Sequence, residues 1–183
     1  EQPSANPCSF HPFAPTIQED GQSYAFKIIS NVINKWELDL LSSATQLLST
    51  ISHPNIIAYK RSFHKKDENL FVIIHELADS SLQSKIPHMS QNKAFSYFKQ
   101  ILEALRYLHE DTKTAHHNLK INNILLKEGA VKLNDVGEFN SILGRKMLSL
   151  NNNRWLDTNV YLPPEVINGQ IYNENSDIWA AGI

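Results

Sequence analysis

Cysteine is nearly absent from this 183-residue chain: Cys8 stands alone, so no internal disulfide can form and no cysteine-based metal cluster can be assembled. No apolar run approaches the length needed to cross a bilayer, and no basic stretch followed by an apolar one opens the chain as a secretory leader would. Charge of one sign is also lacking. A formal net charge of −2 gives no electrostatic reason to expect nucleic acid or an anionic membrane as partner. The first residue is Glu1 rather than Met, which points to a processed chain or one cut from a longer sequence. What remains is an ordinary globular composition, 42% apolar and 20% charged, with length enough for a core in one domain or two small lobes. The solitary cysteine suits a reducing compartment, so an intracellular and cytoplasmic setting is expected.

Periodicity divides the chain near Ala78–Ser84. Residues 1–20 are rich in Pro, Ser and Asn and read as a loose strand pair or a disordered lead-in. Ser23–Ile29 is aromatic and β-branched and predicts a strand. Asn34–Ile51 predicts a helix, with Trp36, Leu40, Leu41, Leu47, Leu48 and Ile51 recurring at helical spacing. His53-Pro54-Asn55 ends it. Ile56–Phe63 and Leu70–Leu77 then predict two strands around the charged turn Lys65-Lys66-Asp67-Glu68. Beyond the division, Asn92–Glu110 predicts an amphipathic helix with Ala94, Phe95, Phe98, Ile101, Leu102, Leu105 and Leu108 on one face. Two short strands are expected at Ile124–Leu126 and Val131–Leu133, turning at Gly129, followed by a long polar segment from Gly137 to Leu162.

Seven short strings carry chemistry. Ala115-His116-His117-Asn118-Leu119-Lys120-Ile121-Asn122-Asn123-Ile124-Leu125 resembles the catalytic loop of eukaryotic protein kinases, H-R-D-L-K-x-x-N-I-L. In the same order, Tyr24-Ala25-Phe26-Lys27 resembles V-A-I-K, His53-Pro54-Asn55-Ile56 matches H-P-N-I, and Tyr107-Leu108-His109 matches the Y-L-H before the loop. Asp135-Val136-Gly137 resembles D-F-G, Tyr161-Leu162-Pro163-Pro164-Glu165 resembles Y-x-A-P-E, and Asp177-Ile178-Trp179-Ala180-Ala181-Gly182 resembles D-x-W-S-x-G. Any one string is weak; seven in order are not coincidence. The last two look most like NIMA-related or similar Ser/Thr kinases.

The resemblance implies an α+β, bilobal kinase-like fold: a β-rich small lobe over residues 1–78, with 1–20 as a degenerate glycine-loop region, and an incomplete, mainly helical large lobe over 79–183. It implies ATP and Mg²⁺ as cofactors, with Lys27, Asn123 and Asp135 on the nucleotide, Asn123 and Asp135 on the metal, and Lys120 on the transferred phosphate. It puts His75 at the back of the nucleotide pocket.

Departures from the pattern weaken each of these. Asn118 replaces the catalytic Asp, and a carboxamide has no basic oxygen with which to accept the substrate proton. His117 replaces the Arg that would anchor an activation-segment phosphate. Counting back from Lys27 puts Asn6, Cys8 and His11 where the phosphate-covering glycines belong, with Phe13 for Val; Gly21, the only glycine upstream, is too close to Lys27 to serve. Ala44 falls where the helix should offer Lys27 a Glu, and Glu37 lies two turns away, about 10 Å at 1.5 Å per residue. Asp135 is one candidate partner for Lys27 instead. Loss of a general base costs roughly 10²–10⁴ in rate, against typical kinase turnover of about 1–100 per second. The expectation is therefore a pseudokinase that binds proteins as a scaffold or allosteric module. The alternatives are a weak Ser/Thr kinase transferring the ATP γ-phosphate to protein hydroxyls, or a decaying gene product. His109, His116 and His117 lack Cys or carboxylate neighbours at zinc-ligand spacing, so a metal reading of them is poor. The Asn151-Asn152-Asn153 run and Arg154 read as a solvated loop. Glu165 is expected to lack its usual Arg, and the chain is expected to expose apolar surface and to be marginally stable alone.

Overall fold

Strand and helix boundaries follow the polar residues that can cap or turn the chain. The computed structural model describes residues 16–137 and 160–183. Thr16–Glu19 (β1) and Gln22–Ile29 (β2) form a hairpin across Asp20-Gly21, both residues at positive φ (54° and 74°). Asp-Gly is the pair that tolerates such a two-residue turn. The lead-in, read as a loose strand pair or a disordered stretch, ends in a strand, and Gly21 has a turn to make. Asn6, Cys8, His11 and Phe13 lie outside the described residues, as does most of the polar segment after Gly137, including Asn151–Asn153 and Arg154.

The first helix, α1, spans Lys35–Thr50, with Asn34 as its cap: the Asn34 side chain accepts the Glu37 N–H at 2.8 Å. It lies against β3 (Tyr59–Lys65) and β4 (Leu70–Glu76), which complete an antiparallel sheet in the order β1-β2-β4-β3. Leu41, with Leu38 and Ala44, packs on Ile29, Val32, Phe71 and Ile73. The expected helix is thus present, with Leu41, Leu48 and Ile51 of the anticipated residues on the core and Trp36 67% exposed. The charged turn between β3 and β4 is a short 3₁₀ helix, Lys66–Glu68, ending on Asn69 at positive φ.

Below this sheet, Ser80–Ser81 (β5), Ile124–Lys127 (β6) and Ala130–Leu133 (β7) form a second antiparallel sheet, β5-β6-β7. The long helix α2, Gln91–Arg106, continues through a wider turn at Tyr107–Asp111. Tyr97, Ile101, Ala104, Leu105 and Leu108 bury a core with Leu126, Val131 and Leu133. Here the expected face needs correction: Phe95, Phe98 and Leu102 stay exposed, because the core takes the Tyr97–Ile101–Leu105 stripe instead. Two short helices follow, α3 (Pro164–Ile167) and α4 (Glu174–Ala181), the latter opened by an Asn173–Ser176 capping box. The architecture is α+β. No helix among the described residues is long and apolar enough to cross a membrane.

Asn55 joins the two sheets. The Leu133 N–H donates to the Asn55 carbonyl at 2.8 Å, and the Ile57 N–H donates to the Leu133 carbonyl at 2.9 Å. The buried Asn55 side-chain amide donates to the Val131 carbonyl and to Gln100 Oε1 on α2, each at 3.0 Å. A chain break in polarity, His-Pro-Asn, thus becomes the seam that positions β7, and with it Asp135.

Candidate active site

The loop 115–123 owes its shape to one carboxylate outside it. Asp177, in the first turn of α4 and fully buried, accepts four hydrogen bonds. Oδ2 takes the His116 N–H at 2.6 Å and His109 Nε2 at 2.8 Å; Oδ1 takes the His117 N–H at 3.1 Å and the Tyr172 hydroxyl at 2.7 Å. Burial, and then the neighbouring Asp177 charge, push the Tyr172 hydroxyl pKa far above the phenol range, so it stays a donor. These bonds hold His117 in a left-handed conformation at φ 63°, costly for a residue with a Cβ unless its surroundings impose it. The His117 ring rests on Tyr172, with centroids 4.9 Å apart. Asp177 entered the sequence reading only as one letter of a string, and beside Glu174 in the same first turn nothing local marked it out.

Within the loop, a 3₁₀ turn at Ile121–Asn123 buries Asn123, whose side-chain NH₂ donates to the Asn118 carbonyl at 2.8 Å. The Asn118 N–H donates to His116 Nδ1 at 3.3 Å. The His116 ring is wholly buried, and burial holds its pKa below the usual imidazole value. Asn118 and Lys120 are half-buried, and neither side chain bonds to another described residue. His109 meets Asp177 through its ring, and His116 and His117 meet it through their backbone N–H groups.

Asp135 follows β7 in a left-handed conformation, φ 60°, and reaches back to β2: Lys27 Nζ lies 2.9 Å from its Oδ1, with both side chains largely buried. Burial works against ionising Asp135, but the Lys27 charge and hydrogen bond, with smaller help from His75 and His116, hold its pKa below the ordinary carboxylate value. Sequence reasoning named this pairing as a candidate, and the structure makes it. Ala44 faces the apolar cluster of the upper sheet, so it offers Lys27 nothing. A cavity of about 40 Å³ behind the pair is walled by Leu48, Tyr59, Ile73, His75 and Val136, room for a few waters. His75 is anchored through Nδ1 to the Glu76 carbonyl at 2.9 Å, and burial lowers its pKa.

The residues expected on nucleotide and metal do converge. The Asn134 N–H donates to the Asn123 carbonyl at 2.9 Å, which sets Asn123 beside Asp135. A carboxylate and a carboxamide oxygen are hard donors of the kind Mg²⁺ accepts. The chemistry fits, though the Asp135 carboxylate already neutralises Lys27.

One cluster escaped the sequence reading. Glu76, at the end of β4, receives Lys127 Nζ (2.9 Å) on Oε1, and Lys132 Nζ (3.1 Å) and the Ala58 N–H (3.1 Å) on Oε2. Burial opposes its ionisation, but the two ammonium groups and the amide keep its pKa below the ordinary value. The clamp ties the upper sheet to both strands of the β6–β7 hairpin. Its members are 51 and 56 residues apart in sequence and leave no local pattern.

Comparison with known proteins agrees with this geometry. The protein kinase domain matches residues 14–183. The serine/threonine-protein kinase Nek10 of Mus musculus is 31% identical over 153 residues, covering 79% of this chain and 13% of that protein. Nek4 of Mus musculus is 28% identical over 173 residues, covering 90% of this chain and 21% of its own length. A mitogen-activated protein kinase kinase kinase 1b of Physcomitrium patens is 32% identical over 176 residues, 91% of this chain and 22% of that protein. The chain thus spans less than a quarter of each of these relatives. With the family match running from just before β1 to the last residue, the chain belongs to the protein kinase family.

Proposed function

We propose that the chain is a pseudokinase domain, acting as a scaffold or allosteric binding module rather than by phosphoryl transfer. The observation that carries this is the surroundings of Asn118. A base is needed at that position, the residue there is a carboxamide, and both neighbouring imidazoles are engaged elsewhere: His116 Nδ1 accepts the Asn118 N–H, and His117 lies on Tyr172. Ala44 adds a second deficit, since the helix position expected to offer a carboxylate carries a methyl group, and Lys27 pairs with Asp135. Lost base and lost positioning each remove about two decades or more of rate.

A weak Ser/Thr kinase is the competing reading, favoured by Asn123 and Asp135 lying together with Lys120 on the same loop. For that reading, Lys27, Asn123 and Asp135 would hold ATP and Mg²⁺, and the metal would supply charge neutralisation at the phosphates. Melting with and without millimolar ATP–Mg²⁺, followed by a phosphotransfer assay on the chain and on Asn118→Asp, separates the two. The scaffold reading expects no detectable turnover from either protein. Turnover by the chain itself would overturn it, whereas turnover near one per second from Asn118→Asp alone would show that Asn118 silences an otherwise competent site and that Ala44 and the upstream loop matter little.

A further inference from the structure

His53 closes the corner between the two sheets through its ring. Its Nδ1 accepts the Asn55 N–H at 3.1 Å, while its carbonyl accepts the Ile56 N–H, also at 3.1 Å. A side-chain acceptor taking the N–H two residues on is what an Asn or Asp side chain does in an Asx-turn. Tyr107 holds the ring from its other side. The two rings stack with centroids 5.0 Å apart and planes 28° from parallel, and the Tyr107 hydroxyl accepts the Ser52 N–H at 3.1 Å. What this corner presents is Asn55, which carries the seam between the sheets. The Asn55 side chain donates to Gln100 Oε1, and the same oxygen accepts the Val131 N–H at 2.8 Å. The corner, α2 and β7 are thus one hydrogen-bonded unit, in which His53 alone changes charge between pH 5 and 8.

Because Nδ1 accepts, the hydrogen of the neutral imidazole is on Nε2, and a second proton can go only to Nδ1. There it turns the acceptor into a donor facing a donor. The Asn55 N–H loses its partner and the ring must turn away. The charges round the ring oppose one another: Glu103 and Asp111 favour the imidazolium, while Arg106 and Lys132 disfavour it. Burial is the largest influence and keeps the His53 pKa below the usual imidazole value. The Tyr107 face attracts an imidazolium but supplies no acceptor for the Asn55 N–H. We propose that His53 is a proton-operated latch on the seam: the neutral ring fixes the Asn55 corner and with it the seating of the upper sheet on β7, and the imidazolium releases both. The folded corner needs the neutral ring, so the latch is shut above about pH 6.5 and opens as pH falls below it. Asp135 and Glu76, both held below the ordinary carboxylate pKa, stay ionised through that opening. The inference holds whether or not the chain transfers phosphate.

The test compares the full chain with His53→Asn and His53→Phe. Asparagine keeps a neutral acceptor for the N–H two residues on; phenylalanine keeps a flat ring on Tyr107 and has no acceptor. Hydrogen exchange of the Ile57 and Leu133 amides, taken as protection relative to the unfolded rate at each pH, reads the seam directly. In the unaltered chain that protection should fall roughly tenfold between pH 7.5 and 5, close to the worth of one hydrogen bond. His53→Asn should stay protected across the range, and His53→Phe should be poorly protected throughout, with no step. Nitrogen NMR should find Nδ1 of His53 without a hydrogen at pH 7.5. His75 and His116 are present in all three proteins, so any loss they cause is common to all. A step of equal size in His53→Asn therefore assigns the pH dependence to those two histidines and overturns the inference. So does protection in the unaltered chain that is constant down to pH 5, an Nδ1 that carries the hydrogen at pH 7.5, or full protection in His53→Phe. If His53→Phe does not fold, the comparison with His53→Asn and the NMR still decide.

Discussion

Two carboxylates flank the catalytic loop, and they are held in opposite ways. Asp177 is fully buried and satisfied by four donors with no cation among the groups that fix the loop backbone. Asp135 is held chiefly by one ammonium, that of Lys27. The first arrangement shapes the main chain and is indifferent to what the loop side chains do. The second uses groups whose family role is to meet phosphate and metal. The frame around Asp177 is intact although Asn118 and Ala44 stand where the family pattern has carboxylates, so the loop's geometry does not depend on those two carboxylates.

The largest effect should come from the frame. Asp177→Ala strands two backbone amides and two side-chain donors in a dry interior, and should cost about 4–5 kcal/mol in urea unfolding. Asp177→Asn, which keeps one acceptor oxygen, should lose less. If Asp177→Ala lost under about 1 kcal/mol, Asp177 would not be the organiser of the loop.

Lys27→Met comes next. It leaves the Asp135 carboxylate without its ammonium and should cost about 3 kcal/mol, with much of that recovered in Lys27→Met/Asp135→Leu, since well-packed apolar replacements often match a buried pair. No recovery in the double variant would show that Asp135 serves another essential contact, bringing it closer in kind to Asp177. Glu76→Gln should be milder, about 1–2 kcal/mol. Its specific mark is faster hydrogen exchange in β6 and β7, the strands that Lys127 and Lys132 tie to Glu76.

The smallest expected effect is on pH dependence. Burial keeps His75 and His116 below the ordinary imidazole pKa, so between their folded values and about 6.5 the unfolded chain binds more protons. Stability should therefore rise with pH through that window and fall as pH drops below about 6.5. The depressed pKa values of Asp135 and Glu76 add a second loss only below about pH 4. Unfolding midpoints measured at intervals from pH 7.5 to 4.5 check this, and His75→Met should flatten part of the upper slope. A flat profile above pH 5 would mean that neither imidazole is kept neutral.

Most of the fold was legible because its signals are local. Asn34 and Ile51, the predicted ends of the first helix, are its N-cap and C-cap residues. Helix faces were less legible. Counting apolar residues on α2 included Phe95, Phe98 and Leu102, since periodicity reports which residues share a face but not which face a neighbour covers. Lys27 and Asp135 were recognised through their strings. Glu76 was not, because its partners Lys127 and Lys132 come from strands far along the chain.

The order of the seven strings, the missing upstream glycines, Ala44 and the carboxamide at Asn118 are all properties of the letters, and they were sufficient for family and for doubt about catalysis. Which charges meet is not written in the letters. Lys27 on Asp135, Glu76 between two lysines, and Asp177 beneath the loop depend on the Asn55 seam and the packing of α2 against β7. Electrostatic pairing falls off over a few ångströms and a buried group must find its partner, so it is decided by distances that only the folded chain creates.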